Sequence, residues 1–287
     1  MVDITPSFRH GLARTLAAAL TLAATTALAQ APAALGTSEQ ALYAGAFDAA
    51  IAPLRAALAE TPAPDQRMRL LLQQVRVHQT QRLSGKINPD EAATLAAVKA
   101  LAPRIQDPAL LALVGLRQTT SDYFERLTSD RTSGAMSLQP AYRAAAEGLA
   151  DPCLKAEAQF FAGLMPQISG DPAASGPLLA EALETATAGR CDLEISYVLR
   201  HQAVEREAAG DKVQARALMA RSLSIRQAIG FQVFAPYSLL SLADAEQALG
   251  ETEAARGHRE EALALARKLD LPAQEAAARK ALVQAAG

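Results

Sequence analysis

The sequence predicts an all-α protein, an α-solenoid of stacked antiparallel helix pairs, and three observations carry that expectation. Half of the 287 residues are hydrophobic, yet only 4% are aromatic and there is no Trp. Alanine dominates the apolar set, and alanine is the best helix former and is depleted in strands. Glycines recur at Gly170, Gly210 and Gly250, a period of 40, each followed by an acid: Asp171, Asp211 and Glu251. No window shows the sustained period-2 alternation of β-branched residues that a strand would need.

The spacing behind those glycines predicts how the helices cross. Five residues on stand Ser175, Ala215 and Ala255, all small. Further along come Ala182-Leu183, Ser222-Leu223 and Ala262-Leu263. Seven residues before each turn sit Gly163, Ala203 and Ala243. A tight turn needs a residue that accepts positive φ, and helices crossing at close range need small side chains where they touch. The same ruler laid from Gly45 finds Ala50, Ala57-Leu58 and a closing Pro62, whereas from Gly85 it finds only Ala97-Val98.

At these residues the chain resembles the tetratricopeptide repeat family, in the long variant of about 40 residues. The resemblance implies a right-handed superhelix of helix pairs, each with helix A on the concave wall and helix B outside. It is strong over 152–286 and good over 37–62. Between 64 and 150 it is loose, so 37–150 is expected to hold divergent repeats and 151–287 regular ones. The spacing breaks from Thr119 to Ser137, which predicts a longer loop there. Helix starts are marked by Asn88-Pro89, Asp107-Pro108, Asp151-Pro152 and Asp171-Pro172, each an N-cap before a first-turn proline. Pro272 to Ala286 is expected as a single helix covering the end of the stack.

Residues 1–29 read as a secretory signal peptide. Arg9, His10 and Arg14 form a basic region, Leu16 to Leu28 an apolar stretch too short to span a bilayer comfortably, and Ala27-Leu28-Ala29 a cleavage site before Gln30. Residues 30–36 are expected as a flexible lead-in. Export from a Gram-negative cell would place the protein in the periplasm, or outside as a secreted protein, and no later stretch is apolar enough to be an integral membrane span. Cys153 and Cys191, the two cysteines, fit an oxidising compartment as a disulfide candidate; two separate buried thiols are the alternative.

No catalytic, metal or cofactor constellation is expected. Of His10, His78, His201 and His258, none stands in an HExxH arrangement. The glycine-rich string Ser169 to Gly176 lacks the GK[ST] ending of a phosphate loop, and no GxSxG elbow occurs. Glu260-Glu261 is a solvated pair. The net charge of −2 is well mixed, without a basic stripe interleaved with aromatics, which argues against nucleic acid.

By resemblance to the repeat family, a partner would meet exposed side chains of the A helices. The family's groove positions fall on Glu157, Phe160 and Gln167 in one repeat, on Tyr197, Arg200 and Glu207 in the next, and on Tyr237, Asp244 and Gln247 in the last. Phe160, Tyr197 and Tyr237 could instead fill gaps between repeats. These expectations amount to an interaction scaffold or adaptor holding a protein or peptide in its concave groove, or alternatively the detached sensory or regulatory module of an envelope signalling system.

Overall fold

A computed structural model of the chain describes residues 31–60, 63–129 and 134–286. The proposed signal peptide and its cleavage site, Ala29-Gln30, lie outside the described residues, as does Pro62. Every regular element described is helical, and consecutive helices pack against one another. No described helix is long and apolar enough to cross a membrane.

Six antiparallel hairpins follow one another: α1 (31–43) with α2 (Phe47–Glu60), α3 (Pro64–Leu83) with α4 (Glu91–Leu101), α5 (Pro108–Thr128) with α6 (Gln139–Gly148), α7 (Pro152–Ile168) with α8 (Pro172–Gly189), α9 (Asp192–Ala208) with α10 (Lys212–Ala228), and α11 (Ala235–Ala248) with α12 (Thr252–Lys268). A single helix, α13 (Pro272–Ala286), ends the stack. The architecture is a tetratricopeptide-like α-solenoid.

The repeat ruler holds in three dimensions. Gly45, Gly170, Gly210 and Gly250 all occupy the left-handed region at the bend between paired helices, with φ from 77° to 83°. Gly85 does so as well at φ 81°, although its downstream sequence matches poorly. Ala182, Ala255 and Ala262 are fully buried where helix B meets its neighbours. Gly163 is equally committed, since a Cβ there would lie 3.0 Å from the Leu179 side chain and 3.1 Å from its backbone nitrogen.

Helix caps and side-chain hydrogen bonds fix the element ends. Asp107 and Asp151 each accept from two backbone N–H groups of the first turn, and Asp171 and Asp211 from one. Pro166 lies inside α7, where a proline leaves the carbonyl four residues earlier without its helical donor. That carbonyl, of Ala162, accepts instead from Gln139 Nε2 of α6 at 3.1 Å.

Three expectations are corrected. The lead-in is helical from residue 31, because Ala31 and Ala34 are buried against Leu54, Ala57 and Leu70. Asn88-Pro89 does not start a helix: Asn88 Oδ1 accepts from the Asp90 backbone N–H in a turn, and α4 begins at Glu91. The long loop is shorter than its Thr-rich composition suggests, since α5 continues to Thr128. Thr119, Thr120 and Thr128 donate their hydroxyls to carbonyls four residues back, which satisfies these groups inside the helix.

The stack also closes on itself. The backbone N–H of Ala273, in the first turn of α13, donates to the Ser84 carbonyl at the end of α3. An unpaired donor at one helix start thus meets an unpaired acceptor at another helix end, with their dipoles aligned. Gln274 reaches Ser84 Oγ and the Val233 carbonyl, Lys86 pairs with Asp270 at 2.6 Å, and Tyr237 Oη lies 3.5 Å from the Leu83 carbonyl. Beneath these contacts one core joins Leu42, Phe47, Ile51 and Val77 from the first two hairpins to Leu193, Phe231, Val233 and Leu271 from the last. The superhelix is therefore a ring, and its concave face an interior.

Candidate functional site

The interior of this ring is a cavity of about 330 Å³. Helices A of five hairpins line it: α3 with Arg76 and Gln79, α5 with Tyr123 and Phe124, α7 with Glu157, Phe160 and Phe161, α9 with Tyr197, Arg200 and His201, and α11 with Tyr237. Helix α10 adds Arg226, and the 3-10 turn Gln232–Phe234 adds Phe234. Towards solvent the wall becomes apolar and open, with Leu127 40% and Ile168 36% exposed.

The aromatic walls are built by contacts between successive A helices, with Tyr142 of α6 backing them. Phe160 stacks on Tyr197 at 5.5 Å, Tyr142 on Phe161 at 5.1 Å, and Tyr123 meets Phe161 edge-on at 6.1 Å. Burial drives the phenol pKa of Tyr123 up to about 12 and that of Tyr197 higher still, so these rings line the cavity as neutral hydroxyls.

The charges fall into two groups. In the first, Arg117 and Glu157 form a bidentate pair at 2.5 and 2.9 Å, both almost wholly buried. Arg76 shares the field of Glu157 and pairs with Glu39 at 3.0 Å. Burial opposes its charge, yet those two carboxylates hold the Arg76 pKa above its ordinary value. Burial raises the Glu157 pKa and Arg117 lowers it, with the pair leaving Glu157 ionised. Glu194 lies beside them without such a partner, and burial together with the Glu157 charge pushes its pKa up to about 8.

In the second group, Arg200 and Arg226 have no carboxylate partner among the described residues. Arg226 is 3% exposed; its Nε donates to Ser196 Oγ at 3.0 Å and its Nη1 to Ser238 Oγ at 2.6 Å. Its guanidinium lies over Tyr197 at 5.1 Å. Arg200 donates through Nε to Ser241 Oγ at 3.3 Å, and its Nη1 is 3.3 Å from His201 Nε2. Burial lowers the pKa of both arginines, Arg226 to about 10. His201 is held neutral by burial and by these two cations, its Nδ1 2.6 Å from Gln167 Oε1, so that Nδ1–H donates and Nε2 accepts.

Of the residues mapped from the repeat resemblance, Glu157, Phe160, Tyr197, Arg200 and Tyr237 line the cavity, and Gln167 supports it through His201. Glu207 is exposed outside the cavity. Asp244 and Gln247 do not line this cavity; they border a different crevice with Leu240, Arg259, Ala277 and Lys280, where α13 packs against α11. Phe160 and Tyr197 serve both readings, joining adjacent repeats and facing the cavity.

Residues from the loosely matching region 64–150 were not anticipated at the site, and neither was Arg226. No local signal marks Arg226, which sits on a B helix; its burial arises only when α9 and α11 supply Ser196 and Ser238.

Cys153 and Cys191 are joined by a disulfide, with Cα atoms 5.2 Å apart. It ties the first turn of α7 to the N-cap of α9. Glu194 lies near both sulfurs in the one group of described His, Cys, Asp and Glu side chains with metal-ligand spacing, but the bridged sulfurs are not thiolates. His10 lies outside the described residues, His78 is buried against Gln81 and Thr94, and His258 pairs with Glu246 at 2.7 Å.

No protein-family profile matches this sequence, and no curated protein matches it either. Solved structures do. A Rap protein complexed with competence and sporulation factor superposes with a TM-score of 0.62 at 14% identity, over 89% of this chain and 70% of that one. A signal transduction ATPase with numerous domains and a tetratricopeptide repeat sensor, from Pyrococcus horikoshii, gives a TM-score of 0.51 at 15% identity. That match covers 84% of this chain but only 36% of the ATPase. At these identities the similarity is one of fold.

Proposed function

We propose that the protein is a binding module of the cell envelope, holding a protein or peptide partner by a segment that enters the ring. One observation carries this reading: closure of the solenoid gathers side chains from the A helices of five hairpins around a single open, aromatic-walled cavity. Such a concave, mainly apolar space with a few placed polar groups is the usual form of a binding site. Its volume of about 330 Å³ is near the lower end for such sites. It accommodates the end of a chain or a few side chains, in place of the extended peptide that an open groove would take. The Rap protein of similar fold binds a factor, which agrees with a binding role.

An envelope location belongs to the proposal. It is supported by the signal-peptide character of residues 1–29 and by a disulfide that would persist in an oxidising compartment. The alternative, a sensory module, is favoured by the sensor domain of the Pyrococcus horikoshii ATPase and would use the same cavity.

Affinity capture from an envelope extract, run with the parent and with a Leu127→Gln/Ile168→Gln variant, tests the reading. Both positions are substantially exposed, so the variant should fold as the parent does. A partner bound through the cavity is lost from the variant. A partner kept by the variant at parental levels would place binding elsewhere on the molecule.

A further inference from the structure

We propose that the cavity recognises its ligand through a carboxylate held by Arg200 and Arg226, with an apolar or aromatic body seated against Phe160, Tyr197 and Tyr237. This inference rests on the reading of the cavity as the binding site and specifies the chemistry of what enters it.

Arg76, Arg200 and Arg226 face the cavity, while among the described residues Glu157 is the one carboxylate lining it, already engaged by Arg117 and the field of Arg76. Charged side chains withdrawn from water are normally paired with an opposite charge. Arg226, which is buried, and Arg200, which is half-buried, have only hydroxyls, a neutral imidazole and aromatic faces around them, and Arg226 feels the Arg200 charge as well. Neighbouring phenols do not supply the missing anion, because burial keeps Tyr123, Tyr197 and Tyr237 protonated.

The guanidinium forks are also held in place before any ligand arrives. Ser196 and Ser238 fix Arg226, and Ser241 fixes Nε of Arg200, while no hydrogen bond from Nη2 of either arginine to a described residue is present. A carboxylate has the charge and the paired acceptors that such donors take up. The aromatic wall beside them suits an apolar body attached to it.

Two sources share this chemistry, the C-terminus of a peptide and a free organic acid. Calorimetric titration of the purified protein with N-acetylphenylalanine and with its amide tests the free acid. A pool of pentapeptides randomised at the last two positions, offered with free and with amidated C-termini and read by mass spectrometry of what is retained, tests the chain end. The acid form of at least one source should bind about ten- to a hundredfold more tightly than its amide, the range expected for hydrogen bonds to charged groups. Arg200→Gln should abolish that preference at an unchanged melting temperature; if it does not fold, the comparison of acid with amide on the unaltered protein decides alone.

Failure of both acids to bind, or equal binding of acid and amide, overturns the proposal. Equal binding that disappears in Leu127→Gln/Ile168→Gln removes the carboxylate and leaves the cavity as the binding site. Equal binding that survives in that variant removes the cavity reading as well.

Discussion

Replacing Glu194 with glutamine should change how the protein's stability depends on pH. Glu194 is 7% exposed and faces Glu157 from α7, Arg76 from α3, and Glu39 and Tyr43 from α1. Burial and the Glu157 charge raise its pKa from 4.5 to about 8, against the pull of Arg76. The unfolded chain releases this proton as pH rises past the ordinary value, whereas the folded chain retains it. Between the two pKa values the unfolded state binds fewer protons, so stability falls as pH rises from about 4.5 to about 8 and levels off above that. At about 1.36 kcal/mol per pH decade the ceiling is about 5 kcal/mol. Relaxation and water entry around a buried charge reduce this to roughly 2–5 kcal/mol.

Glutamine keeps the shape and cannot ionise. Urea unfolding of parent and variant at a series of pH values from 4 to 9 should therefore give curves that diverge with rising pH, the variant gaining stability over the parent. Taking the difference cancels His78 and His201, whose lowered pKa values act in the opposite direction by removing stability as pH falls below 6.5. Parallel curves across this range would show that Glu194 is solvated or paired in the folded protein, and the burial argument would fail.

Three further outcomes are expected, the first of which tests the ring. Gly85→Ala should cost more than Gly210→Ala in thermal unfolding, although both have positive φ: an added Cβ at Gly85 meets Ala273 at 3.0–3.1 Å, whereas at Gly210 it meets nothing within 4 Å. Equal costs of about 1–2 kcal/mol, the conformational term alone, would argue against closure. Reducing the Cys153–Cys191 bridge, which spans 38 residues, should lower stability by about 4 kcal/mol in urea if loop entropy governs the effect. Arg117→Met, which leaves the Glu157 carboxylate buried without its bidentate partner, should cost about 3–5 kcal/mol by the same assay.

The hairpins of the regular region are legible in the sequence. Small residues at fixed distances behind Gly170, Gly210 and Gly250 specify where paired helices bend and cross, and that requirement is local enough to read from spacing. Asp-Pro caps at Asp107, Asp151 and Asp171 are legible for the same reason. Part of the cavity wall was legible too: Glu157, Phe160, Tyr197, Arg200 and Tyr237 follow from the repeat register in the regular region. Thr119 to Thr128 misled because hydroxyls favour loops unless they bond back to their own helix, as they do in α5.

That the stack closes is visible only in three dimensions. Closure depends on contacts between residues nearly two hundred positions apart, such as Ser84 with Ala273 and Lys86 with Asp270. Each hairpin adds a small rotation to the one before it, and no single stretch of sequence encodes the sum. That accumulated turn converts a groove into a cavity, while the packing of α9 and α11 around α10 buries Arg226 near Arg200 with no carboxylate partner among the described residues.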